Sequence, residues 1–200
     1  MIEHIIRPVY QRWLVDPIVE YIGDRLSPIT VTILSGLCGS AVWVALSLFS
    51  APYWAVLFLL LSGYCDTLDG SIARAQQKAS PIGASLDITV DRLVEFFIIY
   101  ALFSVDPQGR GHLCFLLLGS ILFCVTTFLV VGIFTKVEGP TSLKKSFYYS
   151  PGLIERPEAF AFFGIMILWP QAFIPLSFML TGLILYTGSK RLFYFVRVHS

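Results

Sequence analysis

The stretch CDTLDGSIARAQQKASPIGASLDITVDR, residues 65–92, holds Asp66, Asp69, Asp87 and Asp91. Asp66 and Asp69 are spaced i, i+3 and Asp87 and Asp91 i, i+4, so on helices each pair shares one face. The linker AQQKASPIG is short, which predicts two antiparallel neighbouring helices with the four carboxylates facing one another. Four anions cannot remain close and charged where solvent is scarce unless cations sit among them. Oxygen-only ligands suit Mg²⁺ or Mn²⁺ rather than zinc, and no histidine or cysteine ligand set lies nearby. The carboxylates suffice for two divalent ions, which in phosphoryl-transfer sites stand about 3.5–4 Å apart. The neighbouring residues suit such a site. Gly70 and Ala73 leave room for a ligand, Arg74 can offer a planar fork to phosphate oxygens, and Gly83 permits close helix approach after Pro81.

The elements that must position these residues are membrane helices. Hydrophobic residues make up 56% of the chain and charged residues 14%, which points away from an ordinary soluble domain. Six apolar segments, near 28–49, 52–74, 84–104, 112–134, 157–174 and 175–196, are predicted to span a hydrocarbon core of about 30 Å. The fifth, EAFAFFGIMILWPQAFI, is marginal in length, and its boundary with the sixth rests on Pro170 and Pro175. Runs this long and continuous favour helices over a barrel.

Orientation follows from the basic residues. With a cytoplasmic N-terminus, the inner segments hold Arg7, Arg12, Arg25, Arg74, Lys78, Lys136, Lys144, Lys145, Arg156, Lys190, Arg191 and Arg197, while the outer loops hold Arg110 alone. Six spans return the C-terminus to the cytoplasm and put the aspartates at the cytoplasmic edge. In residues 1–26, Ile2, Ile5, Ile6, Val9, Trp13 and Leu14 recur at helical spacing among Glu3, Arg7, Arg12 and Asp16, which predicts an amphipathic helix lying in the membrane interface. Pro8 and Pro17 are expected to interrupt it. Charged residues precede the first apolar run and no A-x-A-like cleavage site stands there, so no signal peptide is expected.

Net charge is +1, which excludes a nucleic-acid partner on bulk electrostatics. Cys38, Cys65, Cys114 and Cys124 lie in or beside apolar segments without CxxC pairing and read as small buried hydrophobes. His4, His112 and His199 sit at the termini or the outer loop, away from the aspartates.

Written as a pattern, the aspartate stretch is D-x2-D-G-x2-A-R-x8-G-x3-D-x3-D, carried by Asp66, Asp69, Gly70, Ala73, Arg74, Gly83, Asp87 and Asp91. This resembles the signature of the CDP-alcohol phosphotransferase family at every fixed position. The resemblance is closest over residues 66–91. It continues more loosely in the six spans, the amphipathic N-terminal helix and a first span opening SPITVT, where Pro28 and Thr32 are kept but Ile29 stands where many members have Asn. The domain plan implied is an interfacial helix over 1–26 and a six-span catalytic domain over 27–200.

The resemblance implies transfer of the phosphoryl-alcohol part of a CDP-alcohol, usually CDP-diacylglycerol, to the hydroxyl of a second substrate with release of CMP. It implies that Asp66, Asp69 and Asp87 hold two Mg²⁺ or Mn²⁺ ions, and that Asp91 takes the acceptor's proton while also touching a metal. Gly70, Ala73, Arg74 and Gly83, with Pro28 and Thr32 from the first span, would surround the CDP group. The implied setting is a homodimer in a bacterial inner membrane. Transfer of this kind needs mainly positioning and charge neutralisation, which two divalent cations and an arginine provide.

Intramembrane carboxylates also mark cation or proton pathways, but a transporter would more naturally place them near mid-membrane. Glu95 continues the face of Asp87 and Asp91 and can serve either a structural pairing with Arg92 or the site. A small polar alcohol is expected as acceptor, with glycerol 3-phosphate the first single choice. Lys136 and Arg156, the latter at a helix start in ERPEAF, are the candidates for holding a phosphate on it.

Overall fold

Proline punctuates the helices of this chain. The computed structural model describes residues 10–22, 25–78, 80–137, 154 and 156–199. A π turn, Gln11–Val15, leads into α1 (Asp16–Ile22). Helix α2 is Pro28–Trp43 and runs on through a second π turn, Val44–Leu48. Then come α3 (Pro52–Ala75), α4 (Pro81–Val105), α5 (Pro107–Val137) and α6 (Arg156–Leu168). After a short 3₁₀ turn, Pro170–Ala172, the last is α7 (Phe173–His199). Four of these helices open on proline, whose missing N–H and fixed φ cost least at the first helical position. No strand occurs among the described residues.

Four stretches, Pro28–Leu48, Pro52–Ala75, Pro107–Phe134 and Pro170–Val198, are long and apolar enough to cross a membrane. The protein is an all-α membrane protein. Two of the six expected spans do not meet the same measure. Helix α4 is long enough but carries Asp87, Asp91, Arg92 and Glu95, and α6 has 13 residues, about 20 Å of rise against a core of about 30 Å.

Several boundaries differ from the expected ones. Helix α4 starts at Pro81 because the Ser80 hydroxyl caps it, accepting from Gly83 N–H at 3.1 Å. Helix α5 starts at Pro107, where Asp106 Oδ1 accepts from Gly109 N–H at 3.0 Å, so Arg110 lies in a helix rather than a loop. Pro175 sits inside the first turn of α7 and marks no boundary. Pro17 does not interrupt the N-terminal segment: the Asp16 N–H bonds to Gln11 O, and this wide turn frees the carbonyls that a proline ring would otherwise strike. Pro8 lies outside the described residues.

Helix α2 packs on both α3 and α4, α6 lies along α3, and α5 pairs with α7. The contact of α2 with α4 depends on Gly39, where a Cβ would stand 2.5 Å from Val94 Cγ2. The main core gathers Leu59, Val94, Ile98, Leu102, Leu117, Phe163 and Leu180. A smaller core of Val15, Val31, Cys65, Leu68 and Ile72 lies at the aspartate end. Val15 is fully buried there with Tyr10 and Val19 packed beside it, while Trp13 and Tyr21 remain exposed, so the N-terminal segment docks on α3 by one face and turns Trp13 and Tyr21 outward. Tyr64 Oη donates to Leu14 O at 2.8 Å and completes this docking.

Candidate functional site

Helices α3 and α4 do not pair along their lengths as the short linker predicts; each packs on α2 instead, and this shared support brings three carboxylates together. One oxygen each from Asp66, Asp69 and Asp87 lies within 4.8 Å of the others. Asp69 is 5% exposed and accepts from Thr32 Oγ1 at 2.5 Å. The Thr32 hydroxyl is also within reach of the Pro28 carbonyl at 3.1 Å. The opening turn of α2 thus orients Asp69, and this is how the first span's Pro28 and Thr32 reach the site. Asp87 Oδ1 is buried without a hydrogen-bond partner among the described residues. A buried anionic oxygen with no donor is costly. The all-oxygen donor set, its spacing and this unpartnered atom fit a hard divalent cation held by Asp66, Asp69 and Asp87.

Asp91 is placed differently from the other three. Its Oδ1 accepts from Arg156 Nη1, which also donates to Asp66 Oδ1. Arg156 opens α6, and its guanidinium lies over the Phe160 ring at 5.0 Å from the centroid. Its Nε and Nη2 are buried without partners among the described residues. Arg92 Nη1 sits 2.6 Å from Glu95 Oε2 and Arg92 Nη2 is 3.9 Å from Asp91 Oδ2, so Glu95 makes the structural pairing with Arg92.

A cleft of about 1040 Å³ opens beside these groups. Asp66, Asp69, Gly70, Arg74, Asp87 and Arg156 form its polar end, and Leu57, Leu60, Leu61, Gly164 and Leu168 line an apolar groove between α3 and α6. The apolar groove is what an alkyl chain needs and the polar end what a charged headgroup needs. The Arg74 guanidinium lies beside Gly70 on this wall, 3.4 Å from where a Cβ on Gly70 would stand. Tyr10 lines the same end, and burial pushes its phenol above the ordinary value, so it stays neutral.

The expected residues therefore divide. Asp66, Asp69, Asp87, Gly70 and Arg74 meet at the cleft. Asp91 does not line it and is reached through Arg156. Ala73 and Gly83 do not line it either, and the Gly83 N–H instead serves the α4 cap. Lys136 lies in the last turn of α5, with its side chain outside the described residues, as Lys144 and Lys145 are altogether.

Arg156 was expected to hold an acceptor phosphate and is found bridging two aspartates. The arginine–proline pair at the head of an apolar helix signals a buried cation, but its carboxylate partners come from two other helices. Tyr10 and Gln11 were not anticipated at the site, because nothing in their own segment marks them.

Residues 25–188 match the CDP-alcohol phosphatidyltransferase family. A phosphatidylinositol phosphate synthase of Corynebacterium glutamicum is 30% identical over 154 residues, covering 72% of this chain and 64% of that protein. A bifunctional IPC transferase and DIPP synthase of Aquifex aeolicus is 35% identical over 85 residues, 42% of this chain and 19% of that protein. The match to this chain thus covers about a fifth of the Aquifex protein and somewhat under two thirds of the Corynebacterium one. The crystal structure of Mycobacterium tuberculosis phosphatidylinositol phosphate synthase with CDP-DAG bound superposes with a TM-score of 0.64 at 23% identity, over 90% of this chain and 92% of that one. At that identity the likeness is one of fold.

Proposed function

Because the chain belongs to the CDP-alcohol phosphatidyltransferase family, we propose that it moves the phosphatidyl group of CDP-diacylglycerol, or of another CDP-alcohol, to the hydroxyl of a small polar acceptor with release of CMP. The observation that carries this reading is the cleft, whose carboxylate-lined polar end runs directly into an apolar groove between α3 and α6. A nucleotide-linked lipid has this same division of polarity, and a small hydrophilic solute crossing a membrane does not need the groove.

The cofactor in this reading is a pair of Mg²⁺ or Mn²⁺ ions held by Asp66, Asp69 and Asp87. Bound there, the ions would neutralise charge on the diphosphate and its leaving group. Arg74, across Gly70, offers its guanidinium to the diphosphate. The acceptor oxygen forms a new bond to the phosphorus that carries the lipid alcohol, the bond from that phosphorus to CMP breaks, and the acceptor's proton passes to Asp91. Arg156 holds Asp91 by one nitrogen and keeps Nε and Nη2 unpartnered among the described residues. Two free buried donors favour an acceptor that carries an anion, and a bidentate phosphate contact suits their geometry.

The acceptor proposed is therefore an inositol phosphate. Glycerol 3-phosphate, the first choice from the sequence, gives way because relatives bear the name phosphatidylinositol phosphate synthase. Six spans belong to the same proposal, with α4 and α6 crossing under the shelter of their neighbours and both termini and the site facing the cytoplasm of a bacterial inner membrane. So do an interfacial role for residues 1–26, a catalytic domain over 27–200, and a homodimer.

The test is incubation of the purified protein with CDP-diacylglycerol and Mn²⁺ against a panel of inositol phosphate, inositol, glycerol 3-phosphate and serine, scoring CMP. Metal-dependent CMP release with inositol phosphate is expected. No CMP with any acceptor would sink the transferase reading, and release with another acceptor alone would overturn the choice of acceptor.

A further inference from the structure

We propose that Ser71 and Gln11 form a positioning relay that holds Arg74 over the cleft and thereby sets the affinity for the CDP-linked donor. The proposal rests on the donor assignment above. Ser71 falls at an unconstrained position of the aspartate motif, so the motif gives it no role, yet it is 6% exposed. Its hydroxyl donates to Thr67 O at 2.9 Å. Its oxygen accepts from Arg74 Nη2 at 3.0 Å and from Gln11 Nε2 at 3.0 Å. One hydroxyl proton and two lone pairs are the whole capacity of a serine side chain, and all are engaged.

Gln11 arrives from the other end of the chain. Its amide nitrogen also donates to Asp16 Oδ1 at 3.0 Å, so both of its N–H groups have partners. The segment that carries it is pinned by fully buried Val15 and by the bond from Tyr64 Oη to Leu14 O. The relay thus runs from a docked element to the tip of an arginine that is itself on the exposed side of α3. A long exposed side chain samples many rotamers, and each must be given up when a ligand binds. Ser71 limits that freedom in advance, since it draws Arg74 back along its own helix across Gly70 and onto the cleft wall. Gln11 in turn fixes the direction of the Ser71 lone pair. Neither residue touches substrate. Both act through Arg74.

The experiment is steady-state CMP release by the full chain with Mn²⁺ present, titrating donor and acceptor separately. Ser71→Ala is expected to raise the donor KM about three- to tenfold, the size of one net hydrogen bond, with kcat and acceptor KM within about twofold. Gln11→Ala should move the donor KM in the same direction by less. Placed on an Arg74→Ala background, Ser71→Ala should add nothing, because the group it positions is gone. A merely structural serine would add its cost on that background and would lower kcat as well. Additivity, an unchanged donor KM, or a parallel loss in kcat overturns the relay. If Ser71→Ala does not fold, Gln11→Ala with and without Arg74→Ala decides the same question. An unsubstituted protein that releases no CMP removes the donor assignment, and the relay falls with it.

Discussion

Two arginines at the starts of two helices show how the ends of the molecule differ. Arg110, near the start of α5, is 7% exposed, lies 4.6 Å from the Phe173 ring centroid and donates to Leu102 O at 3.3 Å. Arg156, at the start of α6, lies over Phe160 in the same way but bridges Asp66 and Asp91. The first takes up a carbonyl at the end of α4, which needs a donor wherever a helix stops. The second meets two carboxylates with Nη1 alone and keeps two other buried nitrogens unpartnered among the described residues. Burial and an aromatic neighbour are common to both. The unused valence of Arg156 and of Asp87 Oδ1 is what separates a site from a piece of packing.

The largest effect on activity is expected at Asp91. Asp91→Asn is expected to lower turnover by about 10²–10⁴-fold, the range for loss of a general base, while Mn²⁺ and CDP-lipid binding persist. Turnover within about tenfold of the unsubstituted protein would assign the proton to another group. Asp66→Ala and Asp87→Ala should each weaken Mn²⁺ binding, read directly by metal titration, because each leaves the site short of an anionic ligand. Unchanged affinity in both would take them out of the coordination sphere.

A smaller, selective effect is expected at Arg156. Arg156→Ala should raise the acceptor KM by at least about tenfold, the lower end for one charge-assisted hydrogen bond of the two proposed, with Lys136→Ala as the companion variant. The donor KM should move less. If neither substitution affects the acceptor selectively, both cations serve topology and the acceptor binds elsewhere. The least effect on activity belongs to Arg110→Leu. That change should leave both KM values and kcat in place and cost about 1–3 kcal/mol of stability through the orphaned carbonyl, read as a lower thermal midpoint in detergent. A loss of turnover there would show that the two ends are coupled, and the contrast drawn from them would fail.

Much of the site could be read before any coordinates. The spacing of Asp66, Asp69 and Asp87 predicted converging carboxylates, and the three oxygens do converge, but through the packing of α3 and α4 on α2 rather than on each other. Asp91 obeyed the same spacing and lies instead against Arg156, since i, i+4 fixes a face of the helix but not the helix that comes to meet it. The apolar runs foretold long helices without strands. Their ends were misjudged wherever a cap decided them, as at Ser80 and Asp106, because a single side-chain hydrogen bond outweighs a gradual change in hydropathy. Pro17 was expected to break a helix and is absorbed by a wider turn, a backbone adjustment that composition does not encode.

The sequence by itself determined the class of chemistry, because residue type and periodic spacing are local properties: four carboxylates, two glycines and an arginine at helical intervals can serve few purposes in an oily chain. Only the tertiary structure decided which cation neutralises Asp91, which wall carries the apolar groove and which distant residue steadies Arg74. Those are contacts across 65 residues from Asp91 to Arg156 and 60 from Gln11 to Ser71. No pattern along the chain records them, because such partners are chosen by how helices pack, and packing is set by the fit of the whole core rather than by either residue's neighbours.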